Sequence, residues 1–304
     1  MDILYASDTH VYPAHIERLL KAAAKLHPGA VMIGGDIIPD WIGSIAESIQ
    51  PHKLWVKEKL LPRLRMFHEE LPGTAVCLDL GNDDIAASRP LLEEKDGREL
   101  HLLHMKVIRL GGNLAVAGYM AVTPTPFLIK DNEKPDCRED DGLSGKGVRR
   151  TGYTTHTGIS LPHTLDPANG TIEDDLDELS RILQNPPWLN CPFLFVCHSP
   201  PKDTVLDRTG KGLNVGSFAV RKFIEKWSPT GRLLASLHGH IHESPWETGR
   251  VWQFIENVPC FNIGQHQKTL RALWFNTDKI ESSARLVTVD RSGEVRVGKR
   301  DEWL

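Results

Sequence analysis

Short apolar runs, each stopped by a polar turn, set the rhythm of this chain. Residues 3–6 are apolar and lead into Ser7-Asp8-Thr9-His10. Ile16, Leu19, Leu20, Ala23 and Leu26 then recur at helical spacing until Gly29 stops the helix. Residues 30–33 form a second apolar run, closed by Gly34-Gly35-Asp36. Residues 74–80 form a third, closed by Gly81-Asn82-Asp83-Asp84. Between these two runs, residues 54–71 read as a helix bent or broken at Pro62. Strand, polar loop and helix, repeated three times, predict an α/β sheet.

Residues 106–110 and 113–119 read as a hairpin about Gly111-Gly112. The periodicity lapses over residues 121–169, a stretch rich in Pro, Gly, Thr and charge that includes Lys130-Asp131-Asn132-Glu133-Lys134-Pro135-Asp136. A structureless segment of that length reads either as a surface flap over a site or as a solvated insertion. Order resumes with a helix at 172–183 and a strand at 192–197 ending in His198-Ser199-Pro200-Pro201. A helix at 215–227 and a strand at 233–237, ending in His238-Gly239-His240-Ile241-His242, follow. Further short strands are expected at 260–263, 272–275, 284–289 and 294–297. The expectation is one domain over residues 1–304, with an irregular insertion at about 121–169.

Composition narrows the function classes. Hydrophobic residues make up 40% of the 304 positions and the net charge is −4, which excludes a mainly disordered chain. The slight acidic excess lacks the basic surplus of a protein built to hold a nucleic-acid backbone, so nucleic acid is expected only as a substrate. No apolar run reaches the length of a membrane span, and residues 1–5 do not read as a signal peptide. Cys77, Cys137, Cys191, Cys197 and Cys260 are scattered and without CxxC spacing, which fits free thiols in a reducing cytoplasm.

The chemistry collects in five loops that each follow an apolar strand. They carry Asp8 with His10, Asp36, Asn82, His198, and His240 with His242. In α/β sheets, sites form beyond the carboxyl ends of the strands. Two Asp, one Asn and four His are too many donors for one tetrahedral ion, but they suit two ions sharing a carboxylate. Mixed imidazole and carboxylate donors without thiolate fit Mn, Fe, Zn, Ni or Co better than Mg or Ca. Gly34, Gly35, Gly81 and Gly239 let the backbone turn sharply and approach closely.

These motifs, Asp-x-His, Gly-Asp, Gly-Asn, an isolated His after a strand and Gly-His-x-His, resemble the calcineurin-like metallophosphoesterase superfamily from Asp8 to His242. Cys197-His198-Ser199-Pro200-Pro201 and His240-Ile241-His242-Glu243-Ser244 resemble its bacterial branch similar to cyclic-nucleotide phosphodiesterases. The resemblance implies a four-layer α/β/β/α sandwich of two mixed sheets flanked by helices. It implies that Asp8, His10 and His242 hold one divalent transition-metal ion, Mn foremost. Asn82, His198 and His240 would hold the other, and Asp36 would bridge the two. It also implies phosphoester hydrolysis, in which a hydroxide shared by the ions attacks phosphorus in line.

One position departs from the family pattern. Many members carry a His directly after the Gly-Asn pair, where this chain has Asp83. An ordinary carboxylate is ionised at pH 7 and is a poor acid. Asp83 is therefore expected to orient a ligand or to repel a second phosphate charge, which favours diesters. Asp36, Asn82, Asp83 and His198 form the expected catalytic group. A small phosphoester is the expected substrate, and no obligate protein partner is evident. The rival readings are a nuclease of the same superfamily and a metal-free scaffold on the same fold.

Other residues have two readings each. His156 and His163 would supply an acid if residues 121–169 folded over the site, and are otherwise solvated. Trp41 would wall the substrate pocket or simply pack. His238 reads as a strand residue or a hydrogen-bond partner behind the ligands. His15, His27, His52, His68, His101 and His104 read as ordinary helix or surface residues. Gly212-Leu213-Asn214-Val215-Gly216-Ser217 reads as a phosphate-friendly helix start or a plain cap. Ser199 lacks the pattern of a strained nucleophile elbow.

Overall fold

The computed structural model describes residues 1–40, 43–139 and 148–299; Trp41 lies outside them. Two mixed sheets carry the architecture. The seven-stranded sheet runs, edge to edge, Val295–Val297, Arg285–Val289, Leu270–Asn276, Asp2–Ala6, Ala30–Ile33, Ala75–Leu78 and His101–Leu102. Its last four strands are mutually parallel, as right-handed strand–helix–strand crossovers produce. The six-stranded sheet runs Trp252–Ile255, Val258–Asn262, Leu233–His238, Phe193–Cys197, Leu114–Tyr119 and Lys106–Gly111.

Side-chain alternation along the strands accounts for the layering. In Asp2–Ala6, Leu4 and Ala6 join the apolar cluster shared with the helices His15–Leu26 and Leu61–Glu70. Ile3 and Tyr5 join a different cluster. In Phe193–Cys197, Phe193, Phe195 and Cys197 pack with the helices Ile172–Leu183 and Phe218–Trp227. Leu194 and Val196 join Ile3 and Tyr5 instead. Both sheets therefore bury both faces, with three apolar interfaces between four layers: helices, sheet, sheet, helices. This is the sandwich that the resemblance implied.

The segment expected as a helix over 54–71 is longer. It starts at Ile45, where Ser44 and Glu47 form a reciprocal cap: each side chain accepts the other's backbone N–H. Pro51 inside the first part concealed that start from periodicity. Pro62 does not break the helix. Its ring would press on the carbonyl four residues back, and a wider turn over Val56–Leu60 absorbs this, with the Leu61 N–H donating to the Val56 carbonyl. The helix then runs on over Leu61–Glu70.

Residues 121–137 correct the surface reading, while most of the described residues 148–169 do lie at the surface. Within the charged run, Lys130, Asp131, Asn132, Glu133 and Asp136 are buried. Lys130 Nζ lies 2.7 Å from Glu133, and neither side chain meets solvent. Asp131 accepts hydrogen bonds from the Ala86 N–H, the Thr154 hydroxyl and both the N–H and hydroxyl of Thr155. Asp136 accepts from the Ser217 hydroxyl and the Phe218 and Ala219 N–H groups, so the chain's own carboxylate occupies the start of that helix. The Gly212–Ser217 stretch is thus the approach to a cap. A two-stranded hairpin, Thr151–Thr154 with Leu161–Thr164, completes the described part of the segment. Among the described residues, no helix is long and apolar enough to cross a membrane.

Because Glu133 would be left buried with only its Thr125 hydrogen bonds and no counter-charge, Lys130→Met should destabilise the protein by about 3–5 kcal/mol in chemical denaturation. The double variant Lys130→Met/Glu133→Leu should lose clearly less. Equal losses in the two would mean that the ion pair is not what holds the segment.

Candidate metal centre

All five ligand-bearing loops leave the carboxyl ends of central strands: Asp2–Ala6, Ala30–Ile33 and Ala75–Leu78 in one sheet, Phe193–Cys197 and Leu233–His238 in the other. Backbone hydrogen bonds lace the loops together. The Asp8 N–H donates to the Gly35 carbonyl at 3.1 Å and the His10 N–H to the Asp36 carbonyl at 3.0 Å. Across the two sheets, the His240 N–H donates to Asp8 Oδ1 at 2.9 Å. Asp8, Asp36 and His240 all sit at positive φ, 56°, 51° and 67°, a conformation that costs a non-glycine residue of order 1–3 kcal/mol and clusters at functional sites. Glycine is required where these loops touch. A Cβ at Gly81 would collide with the Asp36 carboxylate, and one at Gly239 with the Ser7 hydroxyl.

The seven sequence-predicted donors meet in one place. Asp8, His10 and His242 offer ligand atoms within 4.8 Å of one another, and so do Asp36, His198 and His240. Asn82 joins the second group, its Oδ1 lying 3.1 Å from His198 Nε2. Asp83 faces the first group, its Oδ2 lying 3.6 Å from His10 Nε2. Second partners fix the rings: His198 Nδ1 lies 2.7 Å from the Gly34 carbonyl and His10 Nδ1 3.2 Å from the Asp36 carbonyl. With Nδ1–H donating to a carbonyl, each Nε2 is the nitrogen turned towards the cluster.

Whether this pocket suits cations can be read from Asp36. The residue is buried, and its Oδ1 accepts the Asp83 N–H at 2.9 Å. Oδ2 lies 3.0 Å from His198 Nε2 as an ion-pair contact and has no geometric hydrogen-bond partner among the described residues. A buried carboxylate oxygen without a hydrogen bond, among four imidazoles and a second carboxylate, fits a site for divalent ions.

The metal-free electrostatics agree. Burial pushes the His198 imidazole down, but Asp36 and the carbonyl of Gly34 outweigh it and raise the ring to about 9. Burial and the His198 charge hold His240 down at about 3. Without bound ions, burial and Asp36 push Asp83 up to about 8, and bound cations would pull it back down. Burial and Asp36 raise Asp84 to about 7, against the pull of three N–H donors.

Two residues beside the ligands escaped sequence reasoning. Asp84 is fully buried and accepts from the N–H groups of Ile37, Ile38 and Gly81, stapling the Asp36 loop to the Asn82 loop. The second carboxylate of Gly-Asn-Asp-Asp was its only signal. His52, read as an ordinary helix residue, lines a cavity of about 640 Å³ that also reaches His10, Asp83 and His242. Part of the 121–169 segment, Pro126 to Ile129, walls the same cavity. His156 and His163 line a different cavity of about 280 Å³ with Arg89, His104 and Lys134, so the acid considered for them is not delivered to the ligand cluster. His238 stands behind the ligands, its Nδ1 within 3.0 Å of the Cys197 and Ser199 carbonyls. The Ser199 hydroxyl is buried against the Pro200 carbonyl.

No family model and no curated protein matches the chain. Solved structures do. One chain superposes with a TM-score of 0.54 at 14% identity, over 97% of both chains, and shares the fold. The similar structures include TT1561 of Thermus thermophilus (17% identity, 98% of this chain and 97% of that one, TM-score 0.47). They also include a dimetal phosphatase from Danio rerio (10%, 98% of both chains, TM-score 0.44). A third is the calcineurin-like phosphoesterase YfkN from Bacillus subtilis (12%, 98% and 87%, TM-score 0.42). Calcineurin-like phosphoesterases, the superfamily that the motifs resemble, thus stand among the structures found.

The stability of the metal-free protein should fall as pH rises. His198 is raised from 6.5 to about 9, so its contribution is complete below its ordinary value and is lost as pH climbs through 9. Asp83 and Asp84, raised to about 8 and about 7, must charge within the fold over the same climb and act in the same direction. Thermal melts in EDTA should drop by on the order of 5 °C between pH 6.5 and 9. Excess Mn²⁺ should flatten that slope; an unchanged slope would mean that the ion does not take the place of these protons.

Proposed function

We propose that the protein is a dinuclear metallophosphoesterase that hydrolyses phosphodiesters. The observation that carries this reading is the meeting of seven donors from five separated loops around a buried carboxylate oxygen that has no hydrogen bond. Asp8, His10 and His242 would hold one ion, and Asn82, His198 and His240 the other, with Asp36 between them. When bound, two divalent cations lower the pKa of water to near neutrality and neutralise charge on the phosphoryl oxygens.

The chain's own residues prepare the site for that chemistry. Gly34 and Asp36 carbonyls hold His198 and His10 in the orientation that leaves Nε2 available. Asn82 Nδ2 donates to Asp83 Oδ1 at 2.8 Å, which turns the amide oxygen towards His198. Asp83 is therefore a positioning residue for Asn82, one of the two roles expected of it. Diesters are favoured by charge. Asp40 and Asp83 line the cavity, and no lysine or arginine does so among the described lining residues. With bound cations to draw the proton from Asp83, a monoester dianion would face two carboxylates there without a cationic side chain, whereas a diester carries a single negative charge.

Asp36→Asn should reduce turnover of bis-p-nitrophenyl phosphate by at least about a hundredfold and lower the ion content, because the shared carboxylate is lost. The wild-type protein should bind two ions per chain after repletion with Mn²⁺. Far fewer, measured by elemental analysis, would favour the scaffold reading. Asp83→His should keep both ions and raise activity on p-nitrophenyl phosphate relative to the diester. Unchanged relative activity would remove Asp83 from the argument about substrate charge.

A further inference from the structure

The cavity beside the ligand cluster is larger than a phosphate needs. Its volume of about 640 Å³ lies within the rough 300–1,000 Å³ span of sites that enclose organic molecules. Two features of its wall are unexplained by metal binding. The first is His52. The residue is 94% buried, yet neither ring nitrogen has a hydrogen-bond partner among the described residues. Unpaired buried polar groups are rare and costly. Burial, the largest influence on this ring, keeps it neutral at pH 7 against the pull of Asp40. A neutral imidazole offers one N–H and one lone pair that point apart, so a ligand edge meets one of them, as acceptor or as donor.

The second feature is the apolar wall. Phe127 and Leu128 are half exposed, at 51% and 45%, on the segment that walls the cavity. They are fastened there: the Tyr153 N–H donates to the Leu128 carbonyl at 2.8 Å, and the Phe127 N–H donates to the Thr125 hydroxyl at 3.1 Å. Large apolar side chains held at the mouth of a polar cavity form a surface for an organic group, not a gap in packing.

We propose that His52, with Phe127 and Leu128, forms a subsite for the organic group of the ester, and that this group is uncharged, apolar in body, and carries a hydroxyl or amide edge. The subsite rests on the phosphodiesterase reading and deepens it. His52 hydrogen-bonds the edge, the aromatic and aliphatic wall covers the body, and Asp40 turns away further negative charge. His52 is not a ligand in either metal group, so its role is specificity.

Two diesters with the same p-nitrophenolate leaving group isolate the subsite: p-nitrophenyl thymidine 5′-phosphate, whose other ester group has a ring, a hydroxyl and an imide edge, and methyl p-nitrophenyl phosphate, whose other ester group is a bare methyl. With the Mn²⁺-replete full chain, kcat/KM should favour the thymidine ester by about tenfold or more. His52→Ala should cut that ratio by about tenfold, chiefly through KM for the thymidine ester. Phe127→Ala should cut it as well. His52→Gln, which keeps a donor and an acceptor, should restore most of it. Ion content and melting temperature of each variant separate loss of the subsite from loss of the fold. An active wild type that does not distinguish the two esters, or a ratio unmoved by His52→Ala in a folded, metal-loaded variant, would overturn the subsite alone. Failure of the replete wild type to cleave either ester would overturn the phosphodiesterase reading and the subsite with it.

Discussion

The arrangement depends on burying the Asp36 carboxylate where five loops meet. Moving a carboxylate out of water is costly unless opposite charge and hydrogen bonds compensate. Here the compensation comes from the Asp83 N–H on one oxygen and from the His198 imidazolium 3.0 Å from the other. The residue sits at positive φ, and the glycine that faces it cannot carry a side chain without striking it. Strain, close approach and buried charge thus coincide at the point where the two proposed ions would share a ligand. A fold selected for stability alone would have little reason to collect all three there.

Around that point the protein spends most of its polar interior on holding loops still. Asp84 ties the Asp36 loop to the Asn82 loop through three N–H groups. Asn132 donates to the Gly81 carbonyl at 2.7 Å, which brings the 121–169 segment into direct support of the same loop. That segment is anchored in turn by Asp131 and by the buried Lys130–Glu133 pair. The chain of contacts explains why so charged a stretch is internal. Its charges are paired with each other, with Asp175 and with backbone groups of neighbouring segments, and the adjoining residues Pro126 to Ile129 wall the cavity. Phe127 and Leu128 belong to that wall.

The central strands were legible from sequence because both sheets bury both faces, which writes short, nearly continuous apolar runs into the chain. The donors were legible because each follows such a run, and strand ends in an α/β sheet have a defined place. Edge elements were less so. His101–Leu102 and Trp252–Ile255 are short and half buried, and no periodicity announces them. The helix from Ile45 was hidden by Pro51, whose usual effect on helices is outweighed here by the Ser44–Glu47 cap and by packing of the remaining turns.

What the sequence determined by itself was local: which runs form strands, which turns carry donors, and which glycines permit tight loops. These follow from nearest-neighbour chemistry, since backbone sterics, side-chain alternation and turn propensity act over a few residues. The tertiary structure alone decided which charges are interior and which histidines have partners. Lys130, Glu133 and Asp84 look solvated in a sequence and become buried only because distant segments close over them and supply their hydrogen bonds. His52 looks ordinary until the helix that carries it is set against the ligand cluster. Solvation is a property of the whole fold, and it gives the same side chain a different energy, a different charge and a different use.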